Sequence, residues 1–247
     1  MRGFGKLILT NIKLYVREPI SSFFTLVFSP MLLVIFGAIY GNAPSAMFGG
    51  RGSMDVSIPG YIGLIVAGVG MLSMPINISA QRESGVLRRF QASPLKPLAY
   101  ILADLVSNLL VTILGIIILL IVGKLLYNVQ FSGSVISVML AVLLGCLAMF
   151  AIGYLIASLA PNARAGQVIG MVLLYPMMFI SGAGMPLEIM PQTIRTIARF
   201  MPLYYVVNLT KGLWFGESWS VHLLDVVVLI CIITIGFGIA SRFFKWK

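Results

Sequence analysis

An all-α integral membrane protein with six transmembrane helices is the fold class this sequence predicts, and three observations predict it. Of 247 residues, 60% are hydrophobic and only 10% charged, where soluble domains carry roughly 25%; the mean hydropathy is +1.04. Residues 19–50, 56–81, 105–123, 125–163, 165–187 and 226–241 contain no Asp, Glu, Lys or Arg. A spanning helix needs about 20 apolar residues, and most of these runs supply them. None of the runs alternates polar with apolar residues, as barrel strands of about 10 residues do.

The elements follow in chain order. Residues 2–18 form an amphipathic helix: Phe4, Leu7, Ile8, Ile12 and Tyr15 recur at helical spacing, and Lys6, Lys13 and Arg17 take other faces. Such a basic helix lies in the membrane interface, cations toward anionic headgroups. Spans are predicted over about 21–40, 56–80, 98–126, 134–159, 166–181 and 221–240. The connections carry turn chemistry: Gly41 to Pro44 and the glycines to Gly52, Asn128 to Gly133, and Pro161 to Arg164. Residues 182–219 are too long for a turn and are punctuated by Gly182, Gly184, Pro186, Pro191, Pro202, Gly212 and Gly216. They read as a re-entrant external segment of two short helices, one of them between Pro191 and Met201. Irregular backbone at membrane depth is tolerated only when buried in protein or facing water. The tail, Arg242 to Lys247, mixes cations with aromatics as an interface anchor does.

Orientation follows from the cations. With the N-terminus inside and six spans, twelve Lys and Arg fall on the inner side and five on the outer. The positive-inside rule then puts both termini in the cytoplasm. The net charge of +10 is a topology signal and not a nucleic-acid footprint. The sequence predicts no cleavable signal, because the first long apolar run begins late. It also predicts no soluble domain, so residues 1–247 are a single transmembrane unit. Cys146 and Cys231 lie in apolar runs and read as small hydrophobes, and His222 is the only histidine. A metal cluster has no basis here.

The stretch Gln81 to Pro97, QRESGVLRRFQASPLKP, is too polar for hydrocarbon and too short to fold alone. Read as a helix, it places Val86, Leu87 and Phe90 on one side, with Arg82, Arg88 and Arg89 around the rest. That shape suits docking into a groove of a soluble partner; a basic loop that only anchors topology is the alternative. The sequence has no GxxxxGK[ST] loop, no HExxH, no GxSxG and no paired carboxylates on one span. Asp104 and Asp225 lie near span ends and read as interfacial hydrogen-bonding groups. Without a mid-membrane acid, a proton- or sodium-coupled carrier is disfavoured.

The amphipathic N-terminal helix, the six spans, the R-E-x-G-x-L-R-R-F helix after span 2 and the segment SGAGMPLEIMPQTIRTIARFMPLYY at 181–205 occur together. This combination resembles the membrane subunit of an ABC-2 type ABC transporter, most similar to bacterial drug- and antibiotic-export permeases. The resemblance covers the whole chain, and the 181–205 segment is its most specific part. It implies that Arg82, Glu83, Val86, Leu87, Arg88, Arg89 and Phe90 form a cytoplasmic coupling helix on an ATPase subunit. It implies re-entrant helices matching Met185 to Pro202. It also implies a pair of permease chains, identical or paralogous, with two ATPase subunits that bind the ATP and Mg; this chain binds no cofactor itself. The expected location is the bacterial cytoplasmic membrane.

A path between spans 2 and 5 of the two copies makes Met71, Met74, Asn77, Tyr175, Met177 and Phe179 candidates to line it, since methionine and aromatic side chains adapt to varied apolar ligands. Glu188 and Arg199, charged within an otherwise apolar dipping segment, are candidates for an external gate. Hydrophobic or amphipathic cargo is the expectation. A permease for lipid-linked polysaccharide or teichoic acid is the alternative, and a membrane scaffold or embedded enzyme the reading from another class.

Overall fold

The computed structural model describes residues 2–86 and 97–243, and among these the long elements are all helices, with no strand. Helix α1 is Arg2–Arg17. Six helices are long and apolar enough to cross a membrane: α2 Pro19–Tyr40, α3 Ser53–Glu83, α4 Pro97–Tyr127 (apolar from Tyr100), α5 Val135–Leu159, α6 Ala163–Ile180, and the last from Trp219 to Arg242. Two shorter helices, α7 Gln192–Ala198 and α8 Pro202–Trp214, stand between α6 and that final span. The final span opens with a 3-10 turn at Trp219–His222 and continues as α9, Leu223–Phe243. The predicted spans agree with these to within a few residues.

The protein is built around α3. Of its apolar stretch, 94% is buried against other helices, whereas the next most enclosed span, α5, reaches 50%. α2, α4, α5, α6 and α8 all pack on it, and α9 lies along the far side of α5. Lipid tails are as apolar as leucine, so close association in a membrane comes from small residues that let backbones meet. α3 and α5 touch this way at Gly70 and Gly153: a Cβ on Gly153 would sit 2.0 Å from the Gly70 carbonyl oxygen. α6 makes the same approach, with Gly170 over the Met71 carbonyl.

Both α2 and α3 widen into a π turn, at Phe23–Phe28 and Val69–Ser73. Each widened turn leads into a proline, Pro30 and Pro75. A proline has no N–H to give and its ring clashes with the carbonyl one turn back, so the preceding turn opens. The hydroxyl of Tyr15, buried at the end of α1, joins the two widened turns. It bonds Ser73 Oγ at 2.9 Å and Thr25 Oγ1. Helix α1 is thus pinned at the points where both spans depart from regular geometry.

Two polar groups differ from expectation. Asp104 and Asp225 are hydrogen-bonded as predicted but are buried, at 3% and 4% exposure, rather than interfacial. Asp104 accepts from Tyr154 of α5 at 2.8 Å, and Asp225 from Asn208 of α8 at 2.7 Å. A buried carboxylate is tolerated once such partners replace water. His222 is also buried, between Asp225 at 2.7 Å and Glu217 at 2.8 Å. Of the cysteines, Cys146 is buried as expected and Cys231 faces outward.

Candidate functional site

The end of the bundle where α9 finishes is organised by the end of α3. The separate helix predicted from Gln81 does not begin there, because the span itself extends past Ala80. α3 runs to Glu83, and Gly85 then adopts φ +70, a left-handed conformation that glycine takes at little cost and that ends helices. Arg82 and Glu83 therefore belong to the span and not to a separate helix. Their side chains grip the corner between α5 and α6. Arg82 donates to the carbonyls of Ala157, at 3.2 Å, and Ala160, which close α5. Glu83 Oε1 accepts the N–H of Ala163 at 3.3 Å, at the start of α6. A cation at a helix C-terminus and an anion at an N-terminus each meet the unpaired backbone groups and the dipole there. Val86 follows the glycine; Leu87, Arg88, Arg89 and Phe90 lie outside the described residues.

At the opposite end, α3 begins in a polar knot that sequence reasoning missed. Asp55 accepts from Asn42 at 3.1 Å and from the Gln130 N–H at 2.9 Å, and Asn42 donates also to the Tyr127 carbonyl at 3.0 Å. Two loops, 41–52 and 128–134, are held on one carboxylate. The available signal was that Asp55 is the only acid between Glu18 and Glu83.

The 182–219 segment forms the rest of this end. The predicted helix between Pro191 and Met201 is present as α7. The more deeply set element is α8, which the resemblance had not included, because its alternation of polar and apolar residues is fitted to protein: Leu203, Val206, Leu209 and Leu213 are buried against α3 and α5. A half-open cavity of about 220 Å³ lies between α8, α7 and the turn at Leu187–Ile189. Glu188 and Arg199 both line it, but Glu188 forms its ion pair with Lys211 of α8. Arg199 lies instead beside Tyr204 in the lining, and its backbone carbonyl accepts from the Tyr205 hydroxyl at 2.6 Å. Arg195 completes the charged lining, donating to the carbonyls of Met190 at 3.0 Å and Glu188 at 2.6 Å.

The path candidates separate into two groups. Met71 and Met74 are fully buried and Met177 nearly so, packed where α3 meets α5 and α6. They face neighbouring helices because α3 is enclosed on almost every side. Asn77 is half-buried beside a small polar cavity it shares with Gln81 and Asp104. Tyr175 and Phe179 are exposed on the outer face of α6.

The sequence matches the model of the ABC-2 type transporter family over residues 3–215. The chain belongs to the ABC-2 type transporter family. Among curated proteins it is similar to the probable multidrug ABC transporter permease YbhR of Escherichia coli (strain K12), 24% identical over 161 residues, covering 65% of this chain and 44% of the relative. It is similar to the inner membrane transport permease YhhJ of the same organism, 26% identical over 165 residues, with the same coverage of 65% and 44%. The putative transport permease ycf38 of Pyropia yezoensis is 23% identical over 218 residues, 87% of this chain and 75% of the relative. The chain thus spans less than half the length of the two Escherichia relatives that it matches. Within the ABC-2 chain, the family match takes in α1 through α8, including both the α3 terminus and the cavity between α7 and α8.

Proposed function

We propose that this ABC-2 chain is the membrane permease of an ATP-driven exporter, moving hydrophobic or amphipathic cargo out of the cytoplasm or inner leaflet. The observation that carries the reading is the grip of Arg82 and Glu83 on the α5–α6 corner. A push on the stretch after Gly85 reaches α3 directly and reaches α5 and α6 through three hydrogen bonds from side chain to backbone. In this reading the sequence 86–90 is the coupling surface: Val86, Leu87 and Phe90 enter a groove on a separate ATPase, and Arg88 and Arg89 fix orientation by pairing with its acids. Arg82 and Glu83 transmit the movement inside the chain. ATP and Mg are handled by the partner, since the sequence has no phosphate-cradling loop.

The functional unit pairs two permease chains with two ATPase subunits in a bacterial plasma membrane, with both termini cytoplasmic. Of the residues weighed for the path, Tyr175 and Phe179 keep that role, because they stand on an open face; Met71, Met74 and Met177 hold the helices together. The named multidrug activity of YbhR agrees with apolar cargo. Glu188 acts at the external gate with Lys211 as its partner and Arg199 beside them.

The test is co-purification of the ATPase with wild type and with Leu87→Asp. Burying a leucine contributes roughly 1.5–3 kcal/mol, and the substitution also buries an unpaired carboxylate. The ATPase is expected to co-purify with wild type and to be lost from the variant, which still inserts. An ATPase retained at wild-type levels on Leu87→Asp contradicts the coupling assignment.

A further inference from the structure

The cavity between α7 and α8 has a charge imbalance that a gate alone does not require. Arg195, Arg199 and Lys211 line it with a single carboxylate, Glu188. The formal charge is therefore +2, in a recess where Lys211 and Glu188 side chains are 23% and 35% exposed. Arg195 and Arg199 stand exposed at its rim, and the partial burial of Lys211 weakens screening and strengthens its field on any anion that enters. The existing partners do not use up the donors. Arg195 spends Nε and one Nη on backbone carbonyls, leaving further N–H groups of its five-donor fork. Lys211 gives one of three donors to Glu188. Tyr204 and Asn208 add polar edges, while Val56, Leu187 and Val207 form an apolar wall beside the charges.

We propose that this recess is a binding site for a phosphate-bearing amphiphile, the phosphate among Arg195, Arg199 and Lys211 and the apolar body along Val56, Leu187 and Val207. The excess of positive charge favours an anionic phosphate, and guanidinium forks suit its oxygens. The volume of about 220 Å³ admits a headgroup and the first part of a chain but not a whole lipid. The site stands whether or not the chain exports anything, because binding alone reads it.

The experiment titrates the full chain, in a neutral maltoside detergent, with dihexanoylphosphatidylglycerol, dihexanoylphosphatidylcholine and inorganic phosphate, by calorimetry. The phosphatidylglycerol is expected to bind saturably and the zwitterionic lipid far more weakly. Arg199→Gln and Lys211→Gln each weaken phosphatidylglycerol by about tenfold, the loss of one charge-assisted contact. Glu188→Gln strengthens it, because the sole carboxylate is removed and Lys211 is released; a variant that merely misfolds does not gain affinity. Competition by inorganic phosphate shows that the headgroup suffices, and its absence shows that the apolar wall contributes; both support the site. Equal binding of the two lipids overturns it. So does unchanged affinity in Arg199→Gln and Lys211→Gln, or a loss in Glu188→Gln matching theirs.

Discussion

Replacing Arg82 with glutamine removes the clamp between α3 and the end of α5 while leaving every span its length and hydropathy. Two hydrogen bonds from a charged donor are lost, to the Ala157 and Ala160 carbonyls. Such bonds contribute about 1.5–3 kcal/mol each. Arg82 is half-buried, so water and the new amide recover part of this, and the net cost is about 2–3 kcal/mol. For a chain of this size that lowers the midpoint of thermal unfolding by about 5–10 °C. Arg82→Lys keeps the charge but not the fork that reaches two carbonyls at once, so it falls between. The assay pairs a melting curve in detergent with ATP-driven transport by the reconstituted complex. The glutamine variant should melt earlier, bind the ATPase normally and transport less per ATP hydrolysed. A variant with the melting point and the transport-to-hydrolysis ratio of wild type refutes the view that this corner carries force.

Three further outcomes are expected. Tyr15→Phe strands Ser73 and Thr25 and costs about 1–2 kcal/mol, seen as an earlier melt with unchanged membrane insertion. Gly153→Val cannot fit over the Gly70 carbonyl and should fail to accumulate as a folded protein, whereas Gly238→Ala, with nothing within 4 Å, should be neutral on size-exclusion and melting profiles. A lone cysteine at Ser132 should react with an impermeant thiol reagent in intact cells, on a background lacking Cys146 and Cys231, and one at Ser84 only after permeabilisation; both serines are exposed and lie at opposite ends of the bundle.

The six spans were legible because crossing a bilayer demands long charge-free runs, which the sequence displays directly. Their arrangement was not, since hydropathy does not separate a helix surrounded by protein from one surrounded by lipid. The pointer to α3 as the hub was its small residues, Gly60, Gly63, Gly70, Ser73 and Ser79, which the sequence shows but a span count ignores. Local rules also set a boundary and a pairing differently. Periodicity began the charged helix at Arg82, and the resemblance added Glu83, but both belong to α3, which ends before Gly85. Proximity in the dipping segment suggested Glu188 with Arg199, yet its partner lies 23 residues on, across the turn into α8. Long-range pairing of this kind depends on how helices fold back and leaves no mark at a fixed spacing. Asp104 and Asp225 show the same limit: their positions near span ends predicted hydrogen bonding, while their burial depends on Tyr154 and Asn208 from other helices.

The central claim is that transport through this chain draws its energy from ATP hydrolysed on another subunit. Inverted vesicles holding the permease and its ATPase test it most directly, with accumulation of a fluorescent hydrophobic cation followed as ATP, or an imposed proton or sodium gradient, is supplied. Accumulation that requires ATP, persists with both gradients collapsed and disappears in Leu87→Asp is the predicted result. Accumulation driven by either gradient without ATP, or undiminished by Leu87→Asp, contradicts the account.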